Sequence, residues 1–346
     1  MRDWALDYLA CPVTRGPLRL VDSRIENNEI VAGGLVSPEG RRYEIRDGVP
    51  RFVVLPGMET QGTESVASFG FEWNTLNLDL FHANWLAHIA KRNFGGIEYL
   101  KGKTILDCGA GSGMHSRWMI EAGAARVISL ELSGTVDGIM RKNLAGFSDR
   151  NLVVQCDIAN PPIRREAFEL VYCINVVQHT QDPAKTTGNL YRLLGPGQEL
   201  YINYYRMPEQ WWNQLRVTAA EAFRRKFTAR LPKALLLNLI RLACLTTYVP
   251  LLDRLALQVL ICGEVPPGAN FRQRRYRQAV LNTYDWFGSH AYQHHYRCYE
   301  LLGLFEQAGI AYHQIPNIEE VIRLAQPGLA FRCLGEGTAS PTQERR

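Results

Sequence analysis

Thr104-Ile105-Leu106-Asp107-Cys108-Gly109-Ala110-Gly111-Ser112-Gly113 reads as a short apolar strand running into a glycine-rich loop. Glycines let the backbone turn sharply and approach a ligand without a Cβ in the way. The helical pattern that follows, Met114 to Ala122, presents free N–H groups at its start. Working outward, strand and helix patterns alternate. Arg126 to Leu130 predicts a strand, and Ser133 to Leu144 a helix with Ser133 as N-cap. Leu152 to Gln155 and Leu170 to Ile174 predict further strands. Asp182 or Pro183 opens a helix ending near Leu194, and Glu199 to Tyr204 is another strand. After an interruption, a helix at Tyr299 to Ala308 and strands near Ala311 to Ile315 and Leu329 to Leu334 resume the pattern and close the sheet. The alternation predicts an α/β fold with a doubly wound, Rossmann-like sheet that binds ligands at the carboxyl ends of its strands.

The remainder divides around this core. Residues 1–56 predict a small β-rich domain, punctuated by Arg15-Gly16-Pro17, Gly33-Gly34, Pro38-Glu39-Gly40 and Asp47-Gly48. A linker around Gly57 to Gly62 leads into the α/β domain, 57–206. Residues 207–283 form a helical insertion, 284–335 complete the sheet, and 336–346 are a flexible, polar tail. Hydrophobic residues make up 46% of the 346 and charged residues 21%, which fits a globular chain and not a disordered one. The acids Asp3 and Asp7 are incompatible with a secretory signal, so a cytoplasmic protein is expected. The leucine-rich stretch Ala234 to Cys262 is interrupted by Arg241, Pro250, Asp253 and Arg254, and predicts two helices rather than a membrane span. Eight scattered cysteines without a CxxC pair predict reduced, buried thiols.

The loop departs from the dinucleotide pattern G-x-G-x-x-G, because its third glycine, Gly113, comes one place early. Asp107, two places before Gly109, is unfavourable beside a pyrophosphate and favourable beside a cation. S-adenosylmethionine carries a sulfonium and an amino group but no phosphate, so charge favours it. Glu131 ends the next strand, where a carboxylate can accept both ribose hydroxyls. Asp157 follows the strand after that, placed for the adenine amino group, with Ile158 packing on the ring.

These residues resemble the class I S-adenosylmethionine-dependent methyltransferases, over a span from about Phe69 to the last strand. Asn175-Val-Val-Gln178-His179-Thr180-Gln181-Asp182-Pro183 is similar to the fourth-strand motif of the methyltransferase type 11 group, written near VLHHTPDP, with Gln178 in place of its first histidine. Leu193-Leu194-Gly195-Pro196-Gly197 is similar to that group's LLKPGG turn. Phe69-Gly70-Phe71-Glu72-Trp73 resembles an FGxxW motif upstream of the fold in one subgroup. Tyr284-Asp285-Trp286-Phe287 resembles the same subgroup's late YDxxSPxY motif, here without its serine and proline. The resemblance implies that Asp107, Gly109, Ala110, Gly111 and Gly113 hold the methionine end of the cofactor. It implies that Glu131 binds ribose, Asp157 and Ile158 adenine, and that Asn175 lies beside the sulfonium. S-adenosylhomocysteine would be the product.

The N-terminal unit resembles a zinc-ribbon-like domain that is fused to, or activates, some methyltransferases. The likeness lies in Leu9-Ala10-Cys11-Pro12, Gly16-Pro17-Leu18 and Tyr43 to Pro50. Thr14, Ser37 and Gly40 stand at the other cysteine places. A structural zinc site needs four ligands, so the unit is expected to be a zinc-free remnant packed by hydrophobic contacts.

Methyl transfer is an in-line displacement that rewards positioning and water exclusion, and a hydroxyl acceptor must also lose a proton. Histidine suits that task near neutral pH. His179 follows the fourth strand and is the first candidate base; His290 and His294 are further candidates. Trp73, Tyr284, Asp285 and His295 are candidate substrate contacts. No acid lies at a metal-ligand spacing from the late histidines, so no metal is expected.

The insertion holds 12 basic and 4 acidic residues, a formal charge of +8 against +5 for the whole chain. Its basic excess implies an acidic partner: a phosphate-bearing or lipid-linked acceptor, an anionic membrane surface, or nucleic acid. Trp211-Trp212 ahead of a basic, leucine-rich stretch suits a membrane interface. The reading is a methyltransferase acting on a small-molecule or lipid-linked, glycan-type metabolite, with oxygen as the favoured acceptor. The alternatives are an RNA methyltransferase, a cofactor-binding scaffold that activates a partner, and an enzyme using the same fold for other chemistry. Oligomeric state is not legible.

Overall fold

The computed structural model describes residues 1–53, 60–76, 81–90, 94–249, 252, 265, 270–316, 318–319 and 328–335. Its centre is a parallel sheet of β5 (Thr104–Cys108), β6 (Arg126–Glu131), β7 (Asn151–Gln155), β8 (Leu170–Cys173) and β9 (Glu199–Arg206). β5, β6 and β8 are buried along almost their whole length, as strands covered on both faces must be. The order β7-β6-β5-β8-β9 reverses its direction of growth between β5 and β8. Loops diverge at that switch point and leave a crevice beyond the strand ends. β12 (Gly328–Leu334) closes the far side antiparallel to β9, from Gly328 opposite Tyr205 to Leu334 opposite Glu199, and β11 (His313–Gln314) pairs beside it. The two-residue β10 (His295–Tyr296) pairs with β9.

The N-terminal unit is a meander of β1 (Arg19–Glu26), β2 (Glu29–Val36), β3 (Arg42–Arg46) and β4 (Val49–Arg51). The sequence suggested a separate domain ending at residue 56, but β4 joins the central sheet. Arg51 pairs with Gln155 of β7, and the Phe52 N–H donates to the Gln155 carbonyl at 2.8 Å. Arg51 also forms an ion pair with Asp137 and donates to Gln155 Oε1 at 2.7 Å. Leu9, Ile30, Leu35 and Ile45 share one hydrophobic core with Leu106, Ile128 and Leu152. Of the four zinc-ribbon positions, Cys11 contacts the Tyr43 hydroxyl at 3.2 Å, and Thr14 donates to Glu39 at 3.1 Å across the two turns. The Ser37 hydroxyl accepts from the Arg41 N–H, and the Gly40 N–H donates to the Ser37 carbonyl. Hydrogen bonds between side chains and turns thus tie these four positions to their neighbours.

The expected linker falls partly outside the described residues, and from Thr60 the chain is helical: α1 runs Thr60–Thr75. The helix expected over Ser133 to Leu144 is broken. Ser133 does cap its start, accepting from the Thr135 N–H, but a 3-10 turn covers Gly134–Asp137 and an α-helical piece Ile139–Asn143. Gly138 between them has φ −114° and ψ −111°. Asn74 of α1 accepts from the Ile139 N–H there at 3.1 Å, so a distant side chain caps the second piece. The helices α2 (Met114–Glu121) and α3 (Pro183–Tyr191) match expectation, with Asp182 capping α3 through the Lys185 N–H.

The insertion contains α4 (Trp211–Lys226), α5 (Lys233–Cys244) and α6 (Phe271–Phe287), the last continuing four residues past the expected boundary at 283. α5 packs on α6 through Leu236, Leu237, Ile240 and Cys244 against Ala279, Val280 and Tyr284. Among the described residues no helix is long and apolar enough to cross a membrane. α7 (Cys298–Gln307) completes the fold, and the tail 336–346 lies outside the described residues.

Candidate functional site

A cavity of about 960 Å³ opens over the carboxyl ends of β5 to β8. Gly109, Ala110 and Gly111 form its floor, Glu131 and Asp157 with Ile158 one side, and Asn175 and His179 the other. Trp73 covers the loop. A Cβ on Gly111, whose φ is +56°, would lie 3.1 Å from the Trp73 indole nitrogen. Gly109 has φ +79°, and its Cβ would lie 2.5 Å from Val176. Both conformation and space therefore demand glycine at these two positions.

Glu131 is oriented by its neighbours: one carboxylate oxygen accepts from the Gly111 N–H and the other from the Ser133 N–H, each at 2.8 Å. The loop, the acid and the next turn are thereby fixed together. Each carboxylate oxygen keeps a second acceptor site, so Glu131 can still take the hydroxyls of a ribose. Asp157 accepts from the Ala159 N–H at 2.8 Å. Asn175 takes φ +58°. Its N–H donates to Asn203 Oδ1 at 2.6 Å, and its Oδ1 accepts from Asn203 Nδ2 at 2.7 Å. Asn203, a polar residue in the middle of β9, thus holds Asn175 in place, a contact that sequence reading did not find.

Two expected cofactor contacts lie off the cavity wall. Asp107 is 2% exposed and turns toward α2, where the Ser116 hydroxyl donates to it at 2.5 Å. Behind it a buried chain runs from the Asn151 amide to Ser129 at 2.8 Å and from Ser129 to Ser116 at 2.7 Å. Burial pushes the Asp107 carboxyl up to about 7; the Ser116 bond opposes this and the Glu131 charge adds to it. Gly113 packs toward Met140 and Leu144 and serves as the N-cap of α2. Its left-handed backbone shapes the loop without facing the cavity.

The histidines separate. His179 lines the cavity. Its Nδ1 lies 3.0 Å from the Tyr292 carbonyl, which can only accept, so Nδ1 carries the proton and Nε2 the lone pair. Nε2 is buried without a partner, and burial lowers the pKa of the ring. His290 and His294, expected as alternative bases, are outside the lining. Their Nε2 atoms lie 2.7 Å from the Asp285 carbonyl and 3.1 Å from the Thr180 carbonyl. The expected substrate contacts Tyr284, Asp285 and His295 are likewise set behind the wall: Tyr284 is fully buried, Asp285 accepts from the Tyr205 hydroxyl at 2.8 Å, and the His295 ring lies against Trp286 and Tyr205. Trp73 alone of that group reaches the cavity. His115 does so too, although no motif marked it. It sits on the first turn of α2, 3.3 Å from the Tyr172 hydroxyl, and burial pulls its pKa down to about 4.

Residues 106–202 match the methyltransferase domain family, and residues 5–48 match Trm112p-like protein. A tRNA U34 carboxymethyltransferase of Cellvibrio japonicus is 35% identical over 108 residues, 31% of this chain and 34% of that protein. A ubiquinone biosynthesis O-methyltransferase of Coxiella burnetii is 30% identical over 105 residues, 30% of this chain and 44% of its own. The chain thus spans less than half the length of these two relatives. An S-adenosylmethionine dependent methyltransferase structure from Mesorhizobium loti superposes with TM-score 0.39 and 16% identity, covering 69% of this chain and 98% of that one. The matched domain contains the glycine loop, Glu131, Asp157 and Asn175, and S-adenosylmethionine is the cofactor its class uses. Over residues 106–202 the chain thus carries a methyltransferase domain of the S-adenosylmethionine-dependent kind.

Proposed function

We propose that the protein methylates a hydroxyl of a lipid-linked metabolite taken up at an anionic membrane surface. The observation that carries this reading is the outer face of the insertion. α6 contributes Gln278, Leu281 and Asn282 to the cavity wall, and α5 packs on α6. On the outside of α5, Leu235, Leu239 and Leu242 recur at helical spacing and are exposed, Leu242 at 66%. α4 repeats the pattern with Trp211, Trp212, Leu215 and Phe223 exposed. At about 100° per residue, Arg216 and Arg225 flank that stripe on either side. Apolar stripes bordered by arginine suit a headgroup interface, where the guanidinium reaches phosphate and the stem lies along apolar surface.

In this reading the cofactor supplies an electrophilic methyl group and the protein supplies alignment. Gly109 and Gly111 bring backbone close to the ligand, Glu131 holds the ribose hydroxyls, and Asp157 with Ile158 takes the adenine. Trp73 and Phe69 exclude water. His179 receives the acceptor's proton on Nε2, the nitrogen left basic by its Tyr292 bond, after the ring opens toward the cavity. Radiolabelled S-adenosylmethionine incubated with the protein and a total lipid extract should yield label in the organic phase. Binding should be stronger to vesicles containing anionic phosphatidylglycerol than to phosphatidylcholine alone. Label confined to water-soluble products would exclude a lipid-linked acceptor.

A second reading, RNA methylation, is favoured by the tRNA-modifying relative and the basic insertion. Salt-dependent RNA binding, with RNA methylated in place of lipid, would establish it.

A further inference from the structure

Behind the cavity wall, Glu72 of α1 is fully buried and neither carboxylate oxygen has a hydrogen-bond partner. Removing a carboxylate from water without a donor or counter-charge is among the most expensive things a fold can do. Asp285 of α6 and His290 of the following loop stand beside it. One carboxylate oxygen from each acid and one ring nitrogen of His290 lie within 4.8 Å of one another. His290 is 3% exposed; its Nε2 lies 2.7 Å from the Asp285 carbonyl and 4.0 Å from Asp285 Oδ1, and its Nδ1 has no partner, so a shift of the ring is needed to turn a lone pair on the two acids. The Asp285 side chain is itself oriented by the Tyr205 hydroxyl at 2.8 Å.

We infer that Glu72, Asp285 and His290 bind one divalent transition-metal ion, which clamps α1 to the end of α6. Two carboxylates and an imidazole form a mixed oxygen and nitrogen set of the kind that zinc, manganese and iron accept. Ligands about 2.0–2.2 Å from one ion stand roughly 3–4 Å apart, so a contraction of about 1 Å closes the site. The backbone is already tied there. Ser289 donates to Ser68 at 3.1 Å and the Ala291 N–H to Ser65 at 2.7 Å, so α1 and the segment after α6 are held in register. A carboxylate already oriented by a hydrogen bond, as Asp285 is by Tyr205, is the usual support of a metal ligand. The ion would also fix the cavity: His290 stacks on Phe69, ring centroids 4.2 Å apart, and Phe69 lines the wall. The competing arrangement is a proton in place of the ion, for which burial and the Asp285 charge raise the Glu72 pKa. It makes the opposite prediction for removal of the Glu72 charge.

The test uses the full-length, tag-free protein stripped with a chelator and titrated at pH 7.5 with Zn²⁺ and with Mn²⁺, by calorimetry and by thermal melting. One ion per chain and a higher Tm are expected for at least one of the two metals. Glu72→Gln should fold, lose the metal-dependent rise in Tm and weaken binding by about 100-fold or more. Cys11→Ser should keep both, which separates this site from the zinc-ribbon-like turns. The inference is overturned if neither metal binds at one per chain, if binding survives Glu72→Gln, or if binding is lost in Cys11→Ser. A metal-independent Tm that stays level or rises in Glu72→Gln, with no uptake by the parent protein, identifies the shared proton instead.

Discussion

Asp107 shows how one side chain couples a cofactor loop to proton concentration. Its carboxyl, raised to about 7 by burial, keeps its proton across a window in which the unfolded chain has lost its own. The native state thus binds the extra proton, and this group's contribution to stability falls as pH rises from about 4 to 7. A cationic ligand favours the charged form. Affinity for S-adenosylmethionine should therefore tighten between pH 6 and 8, more than affinity for S-adenosylhomocysteine, and Asp107→Asn should flatten the difference in a calorimetric titration. His179→Asn should lower kcat by about 10²–10⁴-fold while leaving cofactor affinity unchanged. The acid limb of the parent's rate should lie below the usual histidine range, because burial lowers the ring's pKa. The position of Glu131 on the cavity wall was legible from its place at a strand end. The turn of Asp107 beneath α2 was not legible, because a strand pattern does not say which acid turns into the loop and which turns beneath a helix. His115, Asn203 and Glu72 carried no readable signal of their own: their meaning comes from neighbours 57, 28 and 213 positions away.

At the scale of elements, α5 is the instructive case. Its leucines fall on both faces, Leu236, Leu237 and Ile240 on one and Leu235, Leu239 and Leu242 on the other, so periodicity alone could not choose the buried face. Packing on α6 makes the choice, and the consequence can be measured. Leu237→Ala should destabilise by about 2–5 kcal/mol in a urea melt. Leu239→Glu should change stability by no more than about 0.5 kcal/mol yet reduce sedimentation with anionic vesicles. Equal vesicle binding by both proteins would remove α5 from the membrane reading. The break near Gly138 was invisible for a related reason, since its cap is Asn74, 65 residues before Ile139. The parallel strands and their helices were legible almost throughout, because local alternation and caps such as Asp182 decide them.

For the molecule as a whole, the fold class and the order of the layers were readable from the sequence, but the joining of the N-terminal unit to the central sheet was not. The composition of residues 1–56 looks self-contained, whereas their apolar side chains are shared with the central sheet. Removing residues 1–53 should expose that face of the sheet and leave a protein that aggregates or lacks near-ultraviolet circular dichroism. A soluble remainder that unfolds cooperatively would show that the shared core is dispensable.

The meeting of β4 with β7 has one more consequence. A parallel sheet that stopped at β7 would offer bare amides and carbonyls to any passing strand, and open borders of that kind invite intermolecular stacking. Here the chain covers its own border with a tethered meander. Tethering makes that protection indifferent to dilution, so the ratio of guard to sheet is one to one in every molecule, however scarce the protein.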